Sequence, residues 1–294
     1  MKSKLPWILL ISFLSLGGLF VIFVFIGLIA AIANPPETDY SAHADLAVVE
    51  LIGPIHESKS FLKKLRTIRQ NHDLKGVIVR IDSPGGVVGA SQEIHEGIKK
   101  LSQEKLVIAS LGSVAASGGY YAAVAANQIV ANAGTLTASI GVRMDYANLQ
   151  DLIHFLKIDA ETLKSGKLKD VGSPLRELKP EEREFLQSIL QNLHEQFKKD
   201  VAEGRKIPLE ELEKIADGRV VTGEQALEYK LVDSLGNEDR AIELAKEQLK
   251  LPEDAKVIYP DDRLENLEKF LSRTFLRTFL ELKAQAGSQA YYSF

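Results

Sequence analysis

SVAASGGYY, Ser113 to Tyr121, follows the apolar run Leu106 to Leu111 and leads into the alanine-rich run Ala122 to Ala126. This succession predicts a strand, a tight turn and a helix. Such a turn exposes one side chain at a helix N-terminus, where free backbone N–H groups favour negative charge. Ser117 is the residue best placed there, and it is a candidate nucleophile. The alternative is that the small residues only allow a helix to pack closely on a sheet.

On both sides of this stretch, apolar runs alternate with amphipathic stretches. Strands are predicted at Leu46 to Ile52, Gly76 to Ile81, Leu106 to Ser110, Gln128 to Ala131, Ile158 to Leu163 and Val257 to Tyr259. Helices are predicted at Ser58 to Asn71, Val88 to Leu101, Tyr146 to Phe155, Pro180 to Gly204, Leu209 to Ile215, Gly223 to Tyr229 and Glu238 to Leu249. The alternation predicts an α/β core with a largely parallel sheet.

The N-terminal region contains a long uncharged segment. Residues 5–33 are mostly apolar and carry no charge, which exceeds the ~20 residues that a membrane-spanning helix needs. A cleavable signal peptide is the alternative, since Ala31-Ile32-Ala33 has the small residues of a cleavage site, but such peptides have apolar cores of only about 7–15 residues. The length therefore favours an uncleaved anchor. Lys2 and Lys4 precede it, which predicts a cytoplasmic N-terminus and an extracytoplasmic remainder.

The composition predicts four regions. Residues 1–34 form the transmembrane anchor, 35–44 a linker that begins with Pro35-Pro36, 45–250 the main domain, and 251–294 a C-terminal helix (Leu264 to Leu282) and tail. The tail, 284–294, is rich in small residues, as a peptide substrate of low specificity would be. It is either a disordered end or a segment that enters a binding groove.

Composition and motifs exclude several classes of function. The net charge of −4 gives no sign of nucleic-acid binding. The chain has no cysteine, which excludes disulfides, thiol catalysis and cysteine-ligated metal. It also lacks the H-E-x-x-H, EF-hand and phosphate-loop patterns, so no metal or other cofactor is expected.

A serine nucleophile needs an oxyanion hole. Gly85-Gly86 follows a buried strand and a proline, and a glycine there lets the backbone point an N–H group at a bound carbonyl. The N–H group of Gly118 is a second candidate donor. Because α/β sites lie at the carboxyl ends of the strands, both donors are expected at one sheet edge. Taken alone, the glycine pair is also consistent with an ordinary turn.

The nucleophile also needs a base. No histidine lies in a loop at the end of a strand; the histidines are His43, His56, His72, His95, His154 and His194. A lysine can act as a base when burial lowers its pKa. Lys164, Lys167 and Lys169 cluster in a glycine-containing loop, so they are candidates, although a solvated loop would show the same composition.

Five segments in order resemble the signal peptide peptidase A family, in its short, membrane-anchored form. They are IDSPGG (81–86), SVAASGGYY (113–121), TASIGV (137–142), KSGKLKD (164–170) and GRVVTGEQA (218–226). The resemblance implies a Ser-Lys protease at 45–250 with a crotonase-like or Clp-protease-like core of β-β-α units.

Carried over by motif, the family's nucleophile is Ser117 and its general base is Lys169. The resemblance further implies that Ser139 orients Lys169 and that Gly86 and Gly118 form the oxyanion hole. Ala138 departs from the pattern, because the family usually has glycine at that position. If the position needs a positive φ, alanine costs about 1 kcal/mol there.

The resemblance also implies a substrate, an assembly and a location. It implies cleavage of remnant signal peptides, a homo-oligomer shaped as a ring or dome, and no cofactor. It implies a single-pass protein of the cell membrane with an extracytoplasmic catalytic domain. Two alternatives remain open, namely a crotonase-like acyl-CoA enzyme, which would not need Ser117, and an inactive membrane scaffold of the same fold.

Overall fold

The chain is described by a computed structural model over residues 44–259, and these residues belong to one compact unit. The strands are β1 Leu46–Ile52, β2 Gly76–Ser83, β3 Leu106–Ala116, β4 Gln128–Ala131, β5 Leu136–Ala138, β6 Val220–Thr222, β7 Ser234–Leu235 and β8 Val257–Ile258. The helices are α1 Lys59–Gln70, α2 Val88–Ser102, α3 Gly118–Ala123, α4 Gln150–Phe155, α5 Pro180–Arg205, α6 Leu209–Glu213, α7 Gly223–Glu228 and α8 Glu238–Leu249.

In this part of the chain the strands form a single sheet in the order β6-β5-β3-β2-β1-β8, with β4 beside β3 and β7 beside β4. The pairings are parallel except for the antiparallel pair of β5 and β6. The α/β class and the largely parallel sheet are therefore confirmed. Such sheets are covered by helices, so their central strands are continuous apolar runs.

The core lies where the central strands pack against α8. Leu46, Val48, Ile78 and Ile108 are fully buried, and Ala241 and Ala245 of α8 pack on them. Small residues on α8 let the helix axis approach the β-branched strand surface closely. The apolar residues of α8 recur at helical spacing, so the helix is amphipathic. Asn237 caps its start by accepting a hydrogen bond from the Arg240 N–H group.

Strand β3 is longer than its sequence pattern predicts. It continues through Ala116, so most of the predicted small-residue turn is strand and only Ser117 separates β3 from α3. The first part of β3 pairs with β4, whereas Val114 to Ala116 pair with β5. Between these two pairings, at Gly112 and Ser113, β3 has no strand partner within residues 44–259, and its register with β2 shifts between Ile81 and Ser83. The result places Ser117 at the carboxyl end of the central strand.

Residues 143–179, which we call the arm, differ most from prediction. The predicted strand at Ile158 to Leu163 is wrong: these residues are exposed and in no strand. The predicted helix from Tyr146 begins only at Gln150. An apolar segment becomes a strand only when an edge is available for it, and the arm leaves the sheet after β5. It folds on itself, with the Leu149 N–H group 2.7 Å from the Pro174 carbonyl oxygen.

The other predicted elements are confirmed to within a few residues. The predicted anchor, linker, C-terminal helix and tail fall in residues 1–43 and 260–294, which lie outside the described residues, apart from Ala44 of the linker and residues 251–259. Between residues 44 and 259, no helix combines the length and the apolar character needed to cross a bilayer.

Candidate active site

Ser117 has an unusual backbone conformation. Its φ of 53° and ψ of −121° lie outside the regions that L-residues normally occupy. The conformation is held on both sides, because the Ser117 N–H group donates to the Ala138 carbonyl and the Ser117 carbonyl accepts from Tyr121 N–H, both at 2.8 Å. A strained residue between a strand and a helix is the arrangement by which α/β hydrolases expose a nucleophile.

The glycine turn after β2 packs directly against Ser117. Gly85 has a φ of 92°. A Cβ atom on Gly85 would lie 2.5 Å from the Gly118 nitrogen and 2.9 Å from the Ser117 Cβ atom. Only glycine fits there, so the predicted meeting of the two glycine-containing turns at one sheet edge is found in the structure.

Gly86 presents its amide beside the same serine. Ile55 N–H donates to the Gly85 carbonyl at 2.9 Å, and Val87 N–H donates to the Ile55 carbonyl at 2.8 Å. Since the groups on either side of Gly86 make these bonds, its own N–H group points away from Ile55. Gly118 N–H opens α3, where helix amides have no intrahelical partner. Both amides can therefore serve as donors to an oxyanion.

A narrow pocket of about 30 Å³ opens beside Ser117. Its apolar walls come from four parts of the chain, and its polar edge includes Gly86, Ser117 and Gly118. The apolar wall residues are Val88, Tyr121, Val142, Leu193 and Phe197. The lining has no charged side chain, so the pocket suits a small or slender apolar group.

Tyr121 joins the helices that build these walls. Its ring stacks on His95 at 4.8 Å between centroids and meets the edge of Phe197 at 4.6 Å. Its hydroxyl donates to Asp200. Burial and, to a smaller extent, the hydrogen bond to Asp200 raise the pKa of Tyr121 above its usual range, so the hydroxyl stays protonated. The pocket wall is consequently fixed by α2, α3 and α5 together.

The turn after β5 supports Ser117 from the other side. Ala138 and Ser139 have φ values of 63° and 52°. Ser139 N–H donates to the Arg219 carbonyl at 2.9 Å, and the Ser139 hydroxyl to the Gly218 carbonyl at 3.3 Å. Ser139 therefore directly follows Ala138, whose carbonyl accepts the hydrogen bond from Ser117. Ser139 itself does not line the pocket.

Lys169 lies elsewhere, on the exposed arm, and it does not line the Ser117 pocket. Its N–H group donates to the Gly166 carbonyl at 3.1 Å. The structure thus brings Ser117, Gly86 and Gly118 together at the pocket, with Ser139 next to the Ala138 that holds Ser117, whereas Lys169 is not among the residues that line the pocket. The role of Lys169 stays a prediction.

The structure gives two histidines roles that the sequence did not indicate. The Nδ1 atom of His95 lies 2.9 Å from the Tyr121 carbonyl oxygen, and the Nε2 atom of His194 lies 3.0 Å from the Ile140 carbonyl oxygen. Both histidines bind backbone carbonyls around the pocket. Across residues 44–259, no cluster of histidine and carboxylate side chains could hold a metal ion.

Comparison with known proteins identifies the family. Residues 99–252, more than half of the chain, match the family model described as peptidase family S49. This chain belongs to peptidase family S49. A Synechocystis sp. protein provisionally named a protease is 43% identical over 203 residues, which are 68% of this chain and 73% of that protein.

Named family relatives are proteases. The chloroplastic serine protease SPPA of Arabidopsis thaliana is 42% identical over 204 residues, covering 68% of this chain and 30% of that protein. Protease 4 of Salmonella typhi is 34% identical over 200 residues, covering 68% of this chain and 32% of that protein. This S49 member is accordingly a serine protease. The match spans less than a third of these last two relatives.

Among solved structures, a ClpP1 mutant of Listeria monocytogenes is similar to this chain with a TM-score of 0.46 and 16% sequence identity. The similarity covers 66% of this chain and 94% of the ClpP1 chain.

Proposed function

We propose that this S49 peptidase is a membrane-anchored serine endopeptidase that degrades remnant signal peptides with a Ser-Lys dyad. One observation carries the catalytic part of the proposal, namely the strained Ser117 beside an apolar pocket and the amides of Gly86 and Gly118. The anchor comes from the uncharged segment at 5–33 and the Ser-Lys dyad from the motif resemblance. A crotonase-like or Clp-protease-like core of β-β-α units is part of the same proposal.

In the proposed mechanism, the neutral amine of Lys169 accepts the hydroxyl proton of Ser117 as its oxygen attacks a peptide carbonyl. The N–H groups of Gly86 and Gly118 stabilise the oxyanion, an effect worth about 3 kcal/mol for one donor. The Lys169 ammonium then protonates the leaving amine, and an acyl-enzyme remains. Water attacks this ester while Lys169 accepts its proton, and Lys169 then returns that proton to the Ser117 oxygen as the peptide acid leaves.

The position of Lys169 favours a dyad that forms between copies of the chain. Lys169 lies on the arm, whose apolar side chains include Phe155 and Leu163, 82% and 89% exposed. An exposed apolar surface of this kind is typical of an interface. We therefore propose a homo-oligomer, in a ring or dome, in which the arm of one copy brings Lys169 to Ser117 of its neighbour.

The pocket supports apolar peptides as substrates. Its uncharged walls exclude a charged side chain, because no partner would repay the loss of hydration. The apolar cores of signal peptides meet this requirement. An anchor would also keep the catalytic domain at the membrane surface where such peptides remain after processing.

The proposal is tested with the full-length chain and a synthetic signal peptide. We expect wild-type protein to cleave it and Ser117→Ala and Lys169→Ala to lose cleavage while keeping the wild-type thermal unfolding midpoint. An exposed lysine of α1, in Lys63→Ala, is the matched control and should retain activity. Folded wild-type protein that cleaves neither signal peptides nor other apolar peptides would refute the peptidase proposal, and active Lys169→Ala would refute the dyad.

The anchor is tested separately, by membrane fractionation. Full-length protein should sediment with membranes and resist extraction by alkaline carbonate, whereas a chain without residues 1–34 should be released. Release of the full-length chain by carbonate would contradict the anchor.

A further inference from the structure

Arg176 makes the densest set of polar contacts on the arm. Its Nη1 and Nη2 atoms each lie 2.7 Å from one carboxylate oxygen of Glu182, a bidentate pair. Its Nε atom donates to the Asp170 carboxylate at 3.0 Å, and Nη2 also donates to the Asp170 carbonyl at 3.3 Å. The planar guanidinium can join two carboxylates in this way, whereas a lysine ammonium cannot reproduce the fork.

One end of this contact is fixed to α5. The Glu182 side chain is only 2% exposed, and its carboxylate accepts a hydrogen bond from the Lys179 N–H group at 3.1 Å at the start of α5. The hydrogen bonds from Arg176 lower the pKa of Glu182 to about 2. Helix α5 also carries Leu193 and Phe197 of the pocket wall, so Glu182 belongs to the framework of the site.

The other end of the contact is the residue after Lys169. The Asp170 carboxylate is 10% exposed and pairs with Lys164 as well as Arg176. Hydrogen bonds from Arg176 and Lys164 hold the pKa of Asp170 well below its usual range. The loop 164–170 is thereby closed on itself and tied through Arg176 to α5.

We infer that Arg176 is a positioning residue that fixes the backbone of the loop 164–170, and with it Lys169, relative to α5. The inference rests on the proposed function, because it takes Lys169 as the base. Lys169 has a long, flexible side chain, so the placement of its Cα atom decides which serine its amine can reach. A displacement of about 1 Å at a catalytic group costs on the order of 100-fold in rate.

Variants of the full-length chain separate positioning from folding. In Arg176→Ala the kcat for an apolar fluorogenic peptide should fall on the order of 100-fold. The KM should not change, because the pocket residues do not touch Arg176. Asp170→Asn, which leaves the Arg176 pair with Glu182 in place, should lower kcat by a smaller factor. The double variant should lose no more than Arg176→Ala, since both act through one contact.

Arg240→Ala is the matched control. Arg240 also pairs with two carboxylates, Glu243 and Glu247, but on α8, away from the pocket. Its removal should leave kcat and KM unchanged. Arg176→Lys keeps the charge without the fork and should rescue only part of the kcat lost in Arg176→Ala.

Several results would overturn the inference. Unchanged kcat in both Arg176→Ala and Asp170→Asn would do so, as would a raised KM with unchanged kcat. Loss of kcat together with loss of the assembled size, measured by light scattering, would make Arg176 an assembly residue instead. Lys169→Ala, measured in parallel, separates the two proposals: retained activity there refutes the dyad, whereas its loss with active Arg176 and Asp170 variants refutes the positioning role alone.

Discussion

Ser117 combines a chemical role with a conformation that its side chain disfavours. Residues held in such sparsely populated regions cost about 1–3 kcal/mol each and persist where the surroundings over-determine them. Here the surroundings are the two backbone hydrogen bonds of Ser117 and the close packing of Gly85. Stability and activity should therefore conflict at this residue.

Glycine at position 117 should reveal this conflict. Ser117→Gly relieves the positive φ but adds the chain entropy of glycine, about 0.5–1 kcal/mol, so it should be more stable than Ser117→Ala by about 1 kcal/mol. Both variants should be inactive. The free energy of unfolding, measured with urea, checks the difference.

The control is the exposed Ser113 in the extended backbone of β3. There the order should reverse, with Ser113→Gly less stable than Ser113→Ala. Equal stabilities of Ser117→Gly and Ser117→Ala would contradict the idea that strain is stored at Ser117.

At the scale of elements, α5 links the pocket to the arm. Phe197 is 7% exposed and lines the pocket against Tyr121. In Phe197→Leu the pocket should widen at a cost of about 1 kcal/mol in stability. Two peptides that differ only in the residue before the cleaved bond, leucine or alanine, measure the effect. The kcat/KM for the leucine peptide divided by that for the alanine peptide should rise roughly tenfold, because room for about one methylene group changes discrimination by that amount.

Phe185→Leu makes the same change on the same helix, at a residue that is 39% exposed and does not line the pocket. It should leave the leucine-to-alanine ratio unchanged. An unchanged ratio in Phe197→Leu as well would show that this pocket does not select the substrate side chain.

The N-terminal end of α5 predicts a response to acid. Arg176 lowers the pKa of Glu182 in the folded chain to about 2, from 4.5 for an unpaired glutamate. The group thus adds stability that is present above pH 4.5 and is lost as the pH falls toward 2. The unfolding midpoint of wild-type protein should drop more steeply over this range than that of Glu182→Gln. The exposed Glu184, changed to glutamine, should leave the wild-type slope intact, and identical slopes for all three proteins would contradict the prediction.

The sequence predicts the central elements well and the arm poorly. Val77 to Val79 form an uninterrupted apolar run because both faces of β2 are buried there, and that pattern is local. Ile158 to Leu163 alternate apolar with polar residues, as an edge strand can, but whether a segment pairs depends on a free sheet edge, which no local pattern encodes. The bond between Arg176 and Glu182 is hidden in the same way, although the proline and the two glutamates in the first turn of α5 are recognisable signals of a helix start.

The candidate site, like the fold, has a part that the sequence predicts and a part that it does not. Ser117 and the glycine turn follow from a strand-end pattern, and the positive φ considered for Ala138 is present in the structure. Lys169 had to be chosen among several lysines by its motif, since charge and spacing do not distinguish it. Under the proposed assembly Lys169 would meet Ser117 of another copy, and a contact between copies would leave no trace in the periodicity of either one.

At the scale of the whole molecule, the proposed contact between copies predicts complementation. A mixture of Ser117→Ala and Lys169→Ala chains, unfolded and refolded together, should recover partial activity, because some sites then receive an intact serine and an intact lysine. Each variant refolded alone is the control and should be inactive. A mixture that stays inactive, although its chains assemble together, would place both members of the dyad in one chain.

The antiparallel pair of β5 and β6 joins Ala138 to Val220, and Ser139 is held by Gly218 and Arg219. During synthesis, the support for Ser117 therefore cannot form until about 80 further residues have been added. At roughly 5–20 residues per second this delay is about 4–16 s. The nascent chain thus carries Ser117 for several seconds before the turn beside it can close, and the backbone of the candidate nucleophile gains its full support only late in synthesis.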